Sequence, residues 1–106
     1  MPTSLMRKPS NSTYKAVTTA YTATLSDYII SASGASNYAV TLPSAASAGA
    51  GKIFVIKSNM NVGVLLNIST TSSQTIDGVD PGVTPRTIVR FESLSLISNG
   101  TGWEIF

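Results

Sequence analysis

"SLSLISNGTGWEIF", Ser93 to Phe106, sets one alternating apolar run against another across an Asn-Gly dipeptide. Leu94 and Leu96 share a face of an extended strand, Trp103 and Ile105 share a face of the next, and Glu104 and Phe106 share the opposite one. Asn-Gly between alternating runs is the strongest short-range sign of a β-hairpin. The stretch therefore predicts a closing hairpin and, with it, an all-β chain. The only tryptophan lies here. Both faces of the last strand carry apolar groups, so one is expected to pack in the subunit core and the other near a subunit interface. Trp103, Ile105 and Phe106 are the candidate interface residues.

Working back from the hairpin, period-two alternation runs from Tyr14 to Leu25, placing Val17, Thr19, Tyr21, Ala23 and Leu25 on one face. Tyr28 to Ile30 starts a second strand, ended by the turn formers Gly34 and Asn37, and Tyr38 to Leu42 makes a third, closed by Pro43. "PSAASAGAG" reads as a loop with at most a short helix, because Gly49 and Gly51 end it. Lys52 to Lys57 is the most apolar strand, expected at the centre with both faces covered. Val64 to Ser69, Arg86 to Phe91 and Leu94 to Ser98 follow, with a long excursion over Thr70 to Pro85. Turn signals recurring every 8 to 12 residues or so indicate a small antiparallel β-sandwich, a jelly-roll-like fold or a barrel, of about seven to nine short strands. No internal repeat is visible. Residues 1–13 read as an extended N-terminal arm and residues 14–106 as a single β-domain.

The chain has 106 residues, enough for one thin core that removes a bit over about 60% of the unfolded surface from water. Charged residues make up only 11%, well under the roughly 25% of ordinary soluble domains. Serine and threonine keep the surface wet instead, and threonine, valine and isoleucine favour strands. A net charge of +2 without a dense basic run argues against nucleic acid as a partner. No stretch approaches the length of a membrane span, and the N-terminus lacks the apolar run of a secretory signal, so no membrane partner and synthesis in a cytoplasm are expected.

Absence of histidine and cysteine removes the usual general base, thiol nucleophiles and the usual zinc ligands. The carboxylates are Asp27, Asp77, Asp80, Glu92 and Glu104. Asp77 and Asp80, in "IDGVDPG", read as turn residues rather than as a catalytic or calcium-binding pair. "AGAGK" at Ala48 to Lys52 lacks the phosphate-loop spacing and leads into a strand, not a helix. Lys52 and Lys57 flank their strand as solvent-facing gatekeepers. Tyr14, Tyr21, Tyr28, Tyr38 and Trp103 fit strand packing better than a sugar-stacking groove. No catalytic residue, metal or cofactor is expected, and the chain reads as no enzyme.

In order, "YTATLSDY" (Tyr21 to Tyr28), "VTLPSA" (Val40 to Ala45), "GKIFVIK" (Gly51 to Lys57), "QTIDG" (Gln74 to Gly78) and "LISNGTGW" (Leu96 to Trp103) occur along the chain. This succession resembles a small β-domain of tailed-bacteriophage virion proteins, found in capsid decoration and head-fibre proteins and at the ends of tail fibres and tail spikes. The resemblance covers about Tyr21 to Phe106. It implies a virion structural module that forms a homotrimer, located on the virion after synthesis in the host cytoplasm, and it supplies no catalytic residues. In long fibres such a module follows many hundreds of residues, whereas here only a short arm precedes it. That favours a capsid decoration (cement) protein bound to the major capsid protein or another virion protein. Leu5, Met6, Arg7 and Lys8, on an arm that Pro2 and Pro9 keep extended, are the candidate capsid-binding residues. The alternative is a tail-fibre or tail-spike tip that binds a host glycan or surface protein through its loops.

Overall fold

The computed structural model describes residues 13–106. Nine strands and one helical turn follow one another: β1 (Tyr14–Val17), β2 (Tyr21–Thr22), β3 (Ile29–Gly34), β4 (Tyr38–Thr41), α1 (Ala45–Ala48), β5 (Ile53–Met60), β6 (Leu66–Ser69), β7 (Arg86–Ile88), β8 (Ser93–Ser98) and β9 (Trp103–Ile105). They build a five-stranded sheet ordered β1-β3-β5-β8-β9 and a four-stranded sheet ordered β2-β4-β6-β7. The protein is thus all-β, with β5 central in the larger sheet, as its apolar sequence predicts.

The expected antiparallel arrangement holds only for the C-terminal third. β8 runs antiparallel to β5 and to β9, and β7 antiparallel to β6. The first six strands pair in parallel: β1 with β3 and β3 with β5 in one sheet, β2 with β4 and β4 with β6 in the other. The chain therefore coils. Each pair of successive strands visits one sheet and then the other, and the next pair stacks alongside in the same direction. Parallel neighbours need a crossover between them, and here the crossover is a strand of the opposite sheet. The second coil is longer than the first because it carries Pro43 to Lys52 and α1. β7 and β8 then run the circuit backwards, and β9 closes it.

The run from Tyr14 to Leu25 is accordingly not one strand. It bends over Thr18 to Ala20, leaving β1 in one sheet and β2 in the other. Val17 and Ala23 remain buried on either side of the bend, Tyr21 is half-buried, and Leu25 is exposed against expectation. Similarly, the run from Arg86 to Phe91 leaves the ladder after Ile88.

Alternate residues of both sheets meet in one core: Val17, Ile30, Ala32, Phe54, Ile56, Met60, Leu96 and Trp103 from the larger sheet, and Val40, Leu66, Ile68 and Ile88 from the smaller. α1 plugs one end. Buried Ala45 donates no bond to its own helix; its amide is held by Gln74 Oε1 at 2.9 Å, and its carbonyl accepts from Ser98 Oγ at 3.0 Å.

Candidate assembly surface

The C-terminal hairpin is built as the sequence indicates. Asn99 Oδ1 accepts from the amides of Thr101 and Gly102 at 3.0 and 2.8 Å, and Gly100 takes a φ of 95° that a glycine tolerates. The free edge of β9 is not free: Trp103 donates its amide to Thr75 O (2.8 Å), and Asp77 donates its own to Trp103 O (2.9 Å). The Asp77 carboxylate then accepts the Ile105 amide at 3.0 Å. Ile76 to Val79 is itself a two-residue hairpin, with Asp77 at φ 52° and Gly78 at φ 79°, the left-handed pair such a turn requires.

The C-terminal interface candidates are separated by this geometry. Trp103 is 1% exposed and lies in the core of its own chain, its ring tilted against Phe54 with centroids 5.5 Å apart. Its Nε1 is buried with no partner among the described residues. Ile105 is half-buried against the same core. Phe106, on the other face of the strand, is 67% exposed. The candidates Leu5, Met6, Arg7 and Lys8 lie outside the described residues.

Each carboxylate has a local structural task. Asp27, buried at the end of the "TLSD" turn, accepts from the Tyr21 hydroxyl at 2.6 Å and from the Thr24 amide at 2.9 Å. That bond to Asp27 is the main reason the Tyr21 hydroxyl titrates above the ordinary tyrosine range, with burial and the carboxylate charge adding to it. Tyr38 is also pushed up, chiefly by burial. Asp80 accepts the Gly82 amide at 2.8 Å, Glu92 the Val89 amide at 2.8 Å, and Glu104 the Asn99 side-chain amide at 2.9 Å. Asp77 and Asp80 are turn residues, as read. The two strand-flanking lysines also have partners: Lys52 Nζ donates to Asp27 O and Lys57 Nζ to Phe91 O, both at 2.7 Å. Among the described residues no three carboxylates gather as a metal site would need, and no helix is long and apolar enough to cross a membrane.

Phe91 was missed in the sequence. It occupies the third position of the turn closed by Glu92 N to Val89 O (3.0 Å), at φ 70°, where glycine is the ordinary occupant. A bulky residue there is strained. The backbone is held by Phe91 N to Ser58 O (2.7 Å) and by the Lys57 ammonium on the Phe91 carbonyl. The ring itself is 62% exposed, with the Arg90 guanidinium 4.6 Å and Lys57 Nζ 5.7 Å from its centroid. No sequence signal marks it, since "TIVRFES" alternates like a strand.

Comparison with protein-family models, with curated proteins and with solved structures finds no match.

The polar groups with chemical potential are engaged in holding turns, while Tyr14, Phe91 and Phe106 are presented to the outside.

Proposed function

We propose that this chain is a bacteriophage virion structural protein, a homotrimeric capsid decoration (cement) protein that binds the head shell and stabilises it. Its two sheets are read as the layers of one small β-sandwich whose strands are wound in coils.

The observation that carries this reading is that the five segments of the phage-module pattern are bonded to one another. Tyr21 and Asp27 close the first segment on itself. Asp27 O, in that segment, accepts from Lys52 of the third. Ala45, in the second, is held by Gln74 of the fourth. Thr75 and Asp77, in the fourth, bracket Trp103 of the fifth. These contacts place the five segments in one small domain, and that supports reading them as parts of a single module.

Shell binding would be shared between the arm and the trimer. Each arm contributes a small apolar contact through Leu5 and Met6 and two charges through Arg7 and Lys8, and three copies acting together multiply weak contacts by avidity. Imaging of phage particles carrying this chain should show trimeric density at local three-fold positions of the head. Density confined to the tail would overturn the assignment in favour of the host-binding alternative. Deleting Met1 to Asn11 should abolish binding to heads while leaving the oligomer folded; unaltered binding would remove the arm from the mechanism.

A further inference from the structure

The outer faces of the two sheets differ in kind. On the four-stranded sheet, the residues that register with one another and point away from the core are Thr22, Thr41 and Ser69 in one row, and Ala39, Asn67 and Thr87 in the next. All are small and nearly all are polar, the composition of a face left in water. On the five-stranded sheet a row crosses every strand: Tyr14, Ile29, Val55, Ser95 and, opposite Ser95, Phe106. The row beside it holds Ile53, Ile97 and Glu104. The row on the other side holds Ala16, Ser31, Lys57 and Ser93, with Phe91 at its rim. Tyr14, Phe91 and Phe106, the three aromatic side chains exposed among the described residues, thus all belong to this one face or its rim.

We infer that the outer face of the five-stranded sheet is where copies of this chain pack on one another. This deepens the proposed reading by naming the surface of its self-assembly. Five strands at about 4.8 Å spacing make a face about 20 Å wide; Ile29, Ile53, Val55 and Ile97 on it are half-buried, and Tyr14 and Phe106 at its two edges are exposed.

Charge selects the occupant. Among the described residues the three rows carry one cation, Lys57, and one anion, Glu104, on opposite sides of the apolar row, and Arg90 stands at the rim over the Phe91 ring. Among the described residues each is bonded to a neutral group: Lys57 to a carbonyl, Glu104 to an amide. A second copy supplies an anion for the cation and a cation for the anion, and a closed symmetric assembly satisfies both in every subunit. Residues 1–12, which precede the described residues in the sequence, are the rival occupant. They offer Leu5 and Met6 but carry Arg7 and Lys8 and no acid, so they cannot meet Lys57. A strongly acidic or basic partner would leave one of the two charges repelled.

The test is the mass in solution, by light scattering at micromolar concentration, of the full chain, three substituted variants and a chain lacking residues 1–12, with circular dichroism to establish folding. The full chain should be an oligomer. Val55→Glu, at the centre of the face, should fall to the 11.1 kDa single chain, whereas Thr41→Glu, on the outer face of the other sheet, should remain assembled. Phe106→Ser changes a side chain outside the core and should dissociate while staying folded, which keeps the test decisive if Val55→Glu fails to fold. A monomeric full chain, an assembled Phe106→Ser, an assembled folded Val55→Glu, or dissociation by Thr41→Glu would each overturn the inference. A monomer that aggregates on removal of residues 1–12 would assign the face to that segment instead. Head binding is measured separately, so an oligomer that ignores heads sinks the proposed function and leaves this surface standing.

Discussion

The Asp77 carboxylate accepts the amide of Ile105 at 3.0 Å, joining a hairpin tip to a strand 28 residues further along the chain. The neighbouring Asp77 amide bonds Trp103 O, so a single residue fixes both ends of β9. Replacing Asp77 by Ala leaves the Ile105 amide without its partner and puts a residue with a Cβ and no side-chain acceptor at positive φ. A loss of about 1–2 kcal/mol is expected in urea unfolding. Asp77→Asn keeps an acceptor and tolerates the left-handed region, and should recover most of it. Equal losses for the two would discount the side-chain bond.

Trp103 fills the core against Phe54, yet its Nε1 has no partner among the described residues. Trp103→Ala should cost about 3–5 kcal/mol through the cavity it opens. Trp103→Phe loses volume but also removes the unpartnered donor, so its cost should be less than half as large. Before any substitution, tryptophan emission should be blue-shifted and red-shift cooperatively on denaturation. Emission already at the water-exposed limit in the native protein would contradict the burial.

At Phe91 the backbone and side chain make opposite demands. Phe91→Gly relaxes the positive φ and Phe91→Ala does not, while both discard the same exposed ring. The glycine variant should therefore be the more stable of the two by about 1 kcal/mol. Thermal melts that rank alanine equal or higher would show that the turn is not held in the left-handed region.

Tyr21 supplies a pH test. Its hydroxyl is held in the neutral form by the bond to Asp27, so its folded-state titration lies above the ordinary value of 10.0. Below that value the stabilisation is fully present. As pH rises through the folded-state titration the unfolded chain releases the proton more readily, and the stabilisation is lost. Absorbance at tyrosinate wavelengths should show two late-titrating hydroxyls, those of Tyr21 and Tyr38, of which Asp27→Asn moves the Tyr21 one down toward the ordinary range. A titration unaffected by Asp27→Asn would exclude the bond as its cause.

Much of the strand inventory is legible in the sequence because inward residues alternate. Val40, Leu66, Ile68, Phe54, Ile56 and Leu96 are all buried where period two places them. The turn chemistry of Asn99-Gly100, Asp77-Gly78 and Asp80 is equally direct. Pairing is another matter. Alternation reports which side chains point inward, not which strand lies alongside. At Thr18 to Ala20 the chain changes sheet without a Gly or Pro, and Val17 and Ala23, six residues apart, keep the same parity across the bend. The passage from one layer to the other therefore leaves no mark in the pattern, and the closing hairpin, which is antiparallel, invites the same reading for strands that are parallel. The coils also differ in length, so their stacking produces no repeat. On the candidate surface, Phe106 is exposed as its face of the strand suggests, while Phe91 is silent because its left-handed backbone contradicts its residue type.

The coiled path sets an order of events during synthesis. β1 and β2 gain their first sheet partners when β3 and β4 emerge, and these in turn when β5 and β6 emerge, so the stack can lengthen coil by coil on the ribosome. β5 then waits with one edge bare until the chain has doubled back to β8. Phe54 waits longer still, since Trp103 is made some fifty residues later. A nascent chain paused between Met60 and Ser93 thus exposes the most apolar strand of the protein along an unpaired edge. The interval in which synthesis most needs to be fast, or shielded by a chaperone, is the one that spans the Thr70 to Pro85 excursion.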